Sequence, residues 1–300
     1  MKRRWIRWLL WIALAAFLAL AALVAFEWTY VVRLSTYPKD EVTRSGWYRP
    51  LERVAGAPLA LPEAAAPGIA PEALAQAAQY AEEKGSAAFV VLHRGAIVAE
   101  RYAPGHGPDA RTNPMSMAKT AVALLVGIAL AEGALGSLDE PAARHLHEWS
   151  GDERSAITIR HLLQMASGLA NDYAEEDPFT DMGYLYFGTD SPWIVGRVRA
   201  HEPPGTRFDY NSINTQALVL VLDPARAARG GSSPRSTRRA RPAARRRGLL
   251  LPVRHGSRLD HREPFEADDV VWLDGRHKQR VYVVPSRELV VARVGEQARK

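Results

Sequence analysis

Cysteine is absent from this 300-residue chain, which excludes disulfides, thiol nucleophiles and cysteine-ligated metals. The chain also has no Gly-x-Ser-x-Gly sequence, and its absence argues against an α/β-hydrolase. Apolar residues make up 47% of the sequence, which allows a sizeable core and argues against wholesale disorder. The length allows a membrane segment together with one large domain or two small ones.

Acidic residues and lysine are missing from residues 224–259, a stretch that contains eleven arginines. The whole chain carries a net charge of +6, so removing these eleven charges leaves −5 for the remainder. The basicity is therefore local. Residues 225–248 also lack aromatic side chains and aliphatic ones larger than alanine. Such a segment cannot bury a core, and we expect it to have little order.

Three explanations fit this arginine-rich stretch. A frameshift or deletion in a GC-rich gene would produce its composition, and we favour this explanation. A genuine basic loop would contact anionic lipid or nucleic acid, whereas a solvated linker would contact neither. Nucleic-acid binding is the least favoured function, because no aromatic residues are interleaved with the arginines. We expect no nucleic-acid partner.

Charge is also missing from residues 8–26, a run of nineteen apolar residues. At ~1.5 Å per residue, this run can cross the ~30 Å hydrocarbon core of a bilayer. Four basic residues precede it, which favours a cytoplasmic N-terminus. Residues 1–33 are therefore predicted to be an uncleaved signal-anchor, a single pass through the cell inner membrane with the remainder on the periplasmic side. A cleaved signal peptide is the alternative.

Residues 34–70 are rich in proline and alanine and have weak periodicity, so we predict a surface linker. A domain should follow at 71–300. Helical patterns occupy 71–85, 114–132, 158–166 and 213–222.

The β-rich runs lie near the two ends of this domain. One pair flanks Arg94-Gly95 and predicts a hairpin, and another pair flanks Pro285-Ser286. The segment "DDVVWLDG" is a further candidate strand. Strands at both ends with helices between them predict an α+β domain, in which both chain ends form one antiparallel sheet and helices pack on it.

Ser116 and Lys119 are polar residues at the start of an apolar helical pattern. Asn113 is suited to the N-cap and Pro114 to the first turn, so Ser116 should lie near the positive end of the helix dipole. Lys119 is three residues on and shares the face of Ser116. An amine partly removed from water loses its proton more easily and can serve as the base that a serine nucleophile needs. The helix beyond is apolar on all sides, which predicts a buried, rigid central helix.

A single Ser-x-x-Lys sequence is weak evidence, because a chain with fifteen serines and six lysines contains one by chance about one time in four. Four segments in order strengthen it: "PMSMAKT", "LDEPAARHLHEW", "ITIRHLLQMASGL" and "PPGTRFDYNSINTQAL". Together they resemble the serine β-lactamase-like hydrolases. This family includes class C β-lactamases, penicillin-binding proteins, D-alanyl-D-alanine carboxypeptidases, esterases and 6-aminohexanoate-dimer hydrolases. The resemblance covers about residues 70–222 and 261–296.

The resemblance implies roles for three residues in catalysis. Ser116 matches the acylated nucleophile and Lys119 its partner amine. Tyr210 matches the tyrosine that exchanges protons with the serine and the leaving group. Ser212 stands where the motif of Tyr210 usually has asparagine, which points away from β-lactam recognition. The implied reaction is hydrolysis of a small-molecule amide, ester or peptide through an acyl-enzyme, with no metal or organic cofactor.

Two further residues are implied as substrate-binding or third-motif positions. Tyr173 resembles a second tyrosine of the 6-aminohexanoate-dimer hydrolases. His277 is the candidate for the third motif, which we expect just before the strand "RVYVV", although the usual glycine is lacking there. The oxyanion hole is expected from the backbone N–H groups of Ser116 and of a residue near Arg280.

Other histidines are weaker candidates for function. The spacing of "HLHE" at 145–148 suits a metal, but no third ligand lies near it in the sequence. His161 is interpreted as a capping or core residue. The rival function class is a degenerate hydrolase, a pseudoenzyme or binding module that keeps the fold but lacks part of the active-site wall.

Overall fold

The structure is a computed structural model that describes residues 2–38, 40–49, 60–65, 68–172, 177–223 and 267–296. The helices in these ranges are α1 (Lys2–Phe26), α2 (Trp28–Thr36), α3 (Pro71–Glu83), α4 (Ala118–Ala131), α5 (Ile159–Leu163), α6 (Asp181–Phe187), α7 (Ser191–Arg197) and α8 (Ser212–Val221). The strands are β1 (Ala88–His93), β2 (Ala96–Tyr102), β3 (Val271–Gly275), β4 (Gln279–Val284) and β5 (Leu289–Val294). Tyr173 and the arginine-rich stretch 224–259 lie outside the described residues.

The five strands form one antiparallel sheet in the order β2-β1-β5-β4-β3. The hairpin of β1 and β2 turns at Arg94 and Gly95, whose φ angles of 53° and 80° are those that tight two-residue hairpins require. The two ends of the domain meet where β1 pairs with β5, with Val91 opposite Val291. The predicted α+β fold with a sheet formed by both chain ends is confirmed.

The main hydrophobic core lies among α5, α7, α8 and the connections between them. Trp149, Leu162, Ile194 and Ala217 are fully buried there. Six of the ten residues of α8 are buried, because α5, α4 and α7 pack against this helix. A smaller cluster lies where α3 packs on β1. The helix α3 therefore covers the sheet at β1. The larger helical core is formed by the part of the chain between β2 and β3.

The helix α4 differs from the sequence prediction of a buried central helix. Val126 is 1% exposed, but Leu124, Leu125 and Ile128 are each about half exposed, at 54%, 52% and 49%. Among the residues that the structure describes, one stripe of α4 contacts the core of α5 and α8. A helix that is apolar on all sides does not reveal which face a neighbouring element will cover, so the prediction of full burial was wrong.

The N-terminal helices α1 and α2 form a nearly continuous rod interrupted at Glu27. One helix of the described residues, Arg4–Phe26, is long and apolar enough to cross a membrane. It contains an 18-residue window with a mean hydropathy of 2.7, and none of that window is buried. The next helix, α2, packs on the domain through Arg33. Arg33 is 4% exposed and donates hydrogen bonds to the carbonyl groups of Phe187 and Gly188.

The chain after α2 is not the surface linker that its composition predicts. Glu41 is 2% exposed and Val42 is fully buried, and both contact the domain. A high content of proline and alanine indicates only that the segment forms little regular secondary structure. Contacts with distant parts of the chain bury these two residues all the same. The prediction of a surface linker at 34–70 is therefore wrong around residues 41–42.

Candidate active site

Ser116 lies in a 3₁₀ turn, Met115–Met117, directly before α4. The preceding residue Met115 has φ 51°, a left-handed conformation that is unfavourable for a residue with a long side chain. Asn113 holds this turn, since its side-chain oxygen accepts a hydrogen bond from the backbone N–H of Met115 at 2.9 Å. Asn113 therefore caps the turn that carries Ser116, whereas α4 itself begins two residues after the serine, at Ala118.

The structure brings Ser116, Lys119 and Tyr210 together. Lys119 Nζ donates to Ser116 Oγ at 3.2 Å, and Tyr210 OH lies 2.7 Å from the same oxygen. Lys119 Nζ also lies over the ring of Tyr210, 5.2 Å from its centroid. All three side chains are partly buried. Because hydroxyl hydrogens rotate, the short contact between the two oxygens allows a proton to pass in either direction.

Tyr210 is positioned by two asparagines in the loops around it. Asn171 Nδ2 donates to the backbone oxygen of Tyr210 at 3.0 Å and to Asp209 Oδ1 at 2.8 Å. Asn211 is 1% exposed and caps α8 by accepting the N–H of Ile213 at 2.9 Å. Its Nδ2 donates to the carbonyl of Ala170 at 3.0 Å. The tyrosine is therefore fixed between the start of α8 and the loop that contains Asn171.

The remaining predicted site residues lie around this cluster. Ser212 is the first residue of α8 and is half-buried. The ring of His277 is bound by two carboxylates: Nε2 lies 3.1 Å from Glu41 Oε1 and Nδ1 lies 3.1 Å from Glu296 Oε2. Both ring nitrogens thus face carboxylates and not the hydroxyl of Ser116. Tyr173 lies outside the described residues.

The expected oxyanion donor near Arg280 does not fit the sheet. Arg280 lies in β4, where it is paired with Asp274 of β3 on one side and Arg293 of β5 on the other. In the described residues, β3 is the edge strand, and it approaches the turn that carries Ser116. A Cβ added to Gly275 would lie 2.9 Å from the carbonyl oxygen of Pro114. The outer edge of β3, and not β4, is the better position for a second N–H donor.

The two other histidine predictions have different outcomes. His161 forms a capping box at the start of α5: its N–H donates to Thr158 Oγ1, and its Nδ1 accepts the N–H of Thr158, both at 3.2 Å. The interpretation as a capping residue is confirmed. His145 Nε2 lies 2.8 Å from Glu140 Oε1. Within the described ranges, no group of three or more His, Asp or Glu residues is arranged to hold a metal ion.

Three residues near the site were not identified from the sequence: Asn171, Gln279 and Glu41. Asn171 lies two residues after the segment "ITIRHLLQMASGL", and this position is the one signal that could have found it. Its Oδ1 and Gln279 Oε1 are buried, and neither has a hydrogen-bond partner in the part of the chain that the structure describes. Gln279 Nε2 donates to the carbonyl of Asn113 at 3.0 Å. Glu41 stands in a stretch without any recognisable motif.

The antiparallel sheet with helices packed on it, and a serine and a lysine three residues apart beside its edge strand, define a β-lactamase-like fold. Residues 72–224 match the family model described as Beta-lactamase, which is slightly more than half of the chain. The chain belongs to the beta-lactamase family, whose members are generally serine hydrolases. The resemblance drawn from the ordered motifs is thereby confirmed.

Solved structures include one that shares this fold over most of the chain. A Bacillus anthracis protein assigned to the 6-aminohexanoate-dimer hydrolases is 15% identical, with a TM-score of 0.51 over 74% of this chain and 76% of that chain. A D-stereospecific amidohydrolase of Streptomyces is 26% identical, with a TM-score of 0.38 over 50% of this chain and 48% of that chain. A penicillin-binding protein of Bacillus halodurans is 20% identical, with a TM-score of 0.37 and the same coverage. The chain spans about half the length of these last two proteins.

Proposed function

We propose that this protein is a membrane-anchored serine hydrolase that cleaves amide or ester bonds through an acyl-enzyme on Ser116. The observation that carries the proposal is that Ser116 Oγ lies within hydrogen-bond distance of both Tyr210 OH and Lys119 Nζ. A serine hydroxyl is a weak nucleophile until a neighbouring group takes its proton. Both neighbours are close enough for that transfer. Membership of a family of serine hydrolases supports the same chemistry.

Acylation begins when Ser116 Oγ attacks the carbonyl carbon of the substrate. The serine proton passes to unprotonated Lys119 or to Tyr210 in its phenolate form, and the carbonyl π electrons move to oxygen. When this intermediate collapses, the bond to the leaving amine or alcohol breaks. The proton taken from Ser116 then passes to the leaving group, from Tyr210 directly or from Lys119 through Tyr210. Water then attacks the acyl carbon by the same route and frees Ser116.

The negative oxygen that forms in this step needs backbone N–H donors. The N–H of Ser116, at the start of a helical turn, is one candidate, and the outer edge of β3 is the other. The approach of β3 to this turn, which Gly275 allows, supports the second assignment. The proposed chemistry needs no metal or organic cofactor.

A small amide, ester or peptide is the substrate class we propose. The Bacillus anthracis protein with this fold is assigned to 6-aminohexanoate-dimer hydrolysis, which is compatible with a small amide. Ser212 takes the place of the asparagine that the motif of Tyr210 usually has, and this favours esters and linear amides over β-lactams.

The proposal is tested by labelling the nucleophile. Ser116→Ala should abolish hydrolysis of a small activated ester and covalent labelling by a fluorophosphonate, whereas Ser137→Ala, on an exposed loop, should retain both. Peptide mass spectrometry should place the label on Ser116, and a label on any other residue would refute the assignment. Labelling without turnover would instead identify the degenerate hydrolase, because acylation needs only the serine cluster.

We propose further that α1 spans the cell inner membrane, with the domain on the extracytoplasmic side. The apolar segment Arg4–Phe26, exposed on all sides, supports a span, and the basic residues that precede it support a cytoplasmic N-terminus. A reporter that is active only in the periplasm should be active when fused after Lys300. Activity of a cytoplasm-only reporter at the same position would overturn the topology.

A further inference from the structure

We propose that Glu41 is a positioning residue of the active site, acting on the turn in front of Ser116 from the chain segment that follows α2. The inference rests on the proposed acyl-enzyme on Ser116 and deepens it, because it names a group outside the matched family region that sets the acylation rate. Glu41, Tyr186, Arg276, His277 and Glu296 form one group of contacting side chains, called the Glu41 cluster below.

The Glu41 carboxylate is almost completely buried, with 2% of the residue exposed. Its Oε2 accepts a hydrogen bond from Tyr186 OH at 2.8 Å. Its Oε1 faces His277 Nε2 at 3.1 Å and Arg276 Nε at 3.3 Å. A carboxylate at this depth is tolerated only when charged and hydrogen-bonding partners compensate for the water it has lost. Partners from α6 and from the turn between β3 and β4 supply that compensation here.

His277 extends the cluster to the C-terminal end of the sheet. Its Nδ1 lies 3.1 Å from Glu296 Oε2, so both ring nitrogens face carboxylates. The geometry therefore makes His277 a link between Glu41 and Glu296.

The cluster continues to the nucleophile through the backbone of Val42. Glu296 Oε1 accepts the N–H of Val42 at 2.7 Å, and the carbonyl of Val42 accepts the N–H of Asn113 at 2.7 Å. Asn113 in turn accepts the N–H of Met115. Tyr186 OH, bound to Glu41, also lies 3.9 Å from Met115 Sδ. Two routes thus join the Glu41 cluster to the residue directly before Ser116.

Met115 needs such support because its φ of 51° is unfavourable and would relax without neighbours that hold it. Relaxation would rotate the following peptide and move Ser116 Oγ relative to Lys119 and Tyr210. Reactions of this type are sensitive to displacements of the order of 1 Å, which cost up to about a hundredfold in rate. The buried residues 41–42 therefore support the turn that carries Ser116 and do more than connect α2 to the domain.

The test replaces Glu41 by glutamine in the full chain, purified in detergent. Glu41→Gln keeps the volume of the side chain and an acceptor for Tyr186, but it removes the charge that faces His277 and Arg276. The rate of covalent labelling of Ser116 by a fluorophosphonate should fall by about tenfold to a hundredfold. The dissociation constant of an activated ester, taken from the saturation of the single-turnover acylation rate, should change little, because Glu41 does not touch the substrate. Glu41→Asp, which retains the charge, should recover part of the rate.

The matched control is Glu140→Gln. Glu140 is 9% exposed and pairs with His145 at 2.8 Å, so this variant also disrupts a buried glutamate–histidine pair. It should lower the melting temperature but leave the labelling rate of the folded protein unchanged. If Glu41→Gln fails to fold, Glu296→Gln tests the same route through a partly exposed carboxylate and should also slow labelling.

Wild-type labelling rates in Glu41→Gln, or in Glu296→Gln where that variant stands in, would overturn the inference. It would also be overturned if Glu140→Gln slowed labelling as much, because the effect would then follow from losing any buried carboxylate. Failure of the wild-type protein to label at Ser116 would be a different result, since it would overturn the proposed function itself and this inference with it.

Discussion

Lys119 and Tyr210 both contact Ser116 Oγ, and removing them singly and together tests whether they act as one unit. Lys119→Met removes the contact of 3.2 Å and Tyr210→Phe the contact of 2.7 Å. Help with proton transfer is typically worth ~10²–10⁴-fold, which corresponds to ~2.7–5.4 kcal/mol of transition-state stabilisation. Each single variant should lose a factor in this range.

The double variant distinguishes two explanations of how Lys119 and Tyr210 assist Ser116. Independent groups would lose the product of the single factors, roughly 10⁴–10⁸-fold. The structure predicts a much smaller loss, close to that of the more severe single variant. The reason is that both groups contact one oxygen and Lys119 Nζ lies 5.2 Å from the ring centroid of Tyr210, so removing either one interrupts the same proton transfer.

The assay is single-turnover acylation by a chromogenic ester with enzyme in excess, with the acylated peptide quantified by mass spectrometry. Two control variants remove similar groups elsewhere. Tyr102→Phe removes a phenol that binds Glu100 at 2.8 Å on β2, at the opposite edge of the sheet from β3. Lys84→Met removes an amine 5.3 Å from the ring centroid of Tyr80. Multiplicative losses in the double variant would refute the reasoning, as would comparable losses in the controls.

Two further predictions concern the sheet edge and acid stability. Gly275→Ala should slow acylation, because its Cβ would lie 2.9 Å from Pro114 O and would push β3 away from the turn of Ser116. Gly46→Ala is the control, since an added Cβ there would meet nothing within 4 Å. Equal acylation rates in the two variants would contradict the prediction. The hydrogen bond from Arg154 lowers the pKa of the Asp152 carboxyl, so the pair stabilises the folded state above the carboxyl's unfolded value of about 4 and loses that contribution as the pH falls through the lower folded value. Asp152→Asn should therefore flatten the acid side of a profile of melting temperature against pH, and an unchanged profile would count against this.

Local patterns in the sequence predicted much of the fold. Arg94-Gly95 identified the hairpin, since the turn type depends on residues that tolerate positive φ. Pro71 and Gly85 marked the helix that the structure has at Pro71–Glu83, because first-turn prolines and terminal glycines act within a few residues. The meeting of both chain ends in one sheet followed from the order of strands and helices. Each of these features depends on neighbouring residues or on element order, and the sequence shows both directly.

The candidate site was predictable to a lesser depth. The spacing of Ser116 and Lys119 places them on one helical face, and the structure has them in contact. Tyr210 is ninety-four residues from Ser116, and only the ordered motifs indicated that the two would meet. His277 was predicted from its position before a strand, but the carboxylates that bind its ring come from the two extremes of the domain. No spacing rule relates such residues.

Burial was the hardest property to predict. The apolar pattern of α4 has no polar side, so it could not indicate that Leu124 and Leu125 would remain half exposed while Val126 is covered. The opposite error occurred at Glu41, a charged residue in a weakly patterned segment. Its partners Tyr186 and His277 are 145 and 236 residues away. The local sequence shows how polar a residue and its neighbours are, whereas the burial of that residue depends on which distant element packs against it.

The position of Glu41 also bears on how the helix α1 relates to the site. Only a few residues separate the end of α2 at Thr36 from Glu41, and a chain of that length reaches at most about 18 Å when extended. Arg33 fixes α2 to the domain before this segment, and after it the carbonyl of Val42 accepts the N–H of Asn113, the residue that holds the turn of Ser116. A flexible tether would place neither residue in the interior. The segment between α1 and the domain therefore serves as a structural element of the domain, and changes within it should affect the chemistry at Ser116 as well as the attachment of the protein.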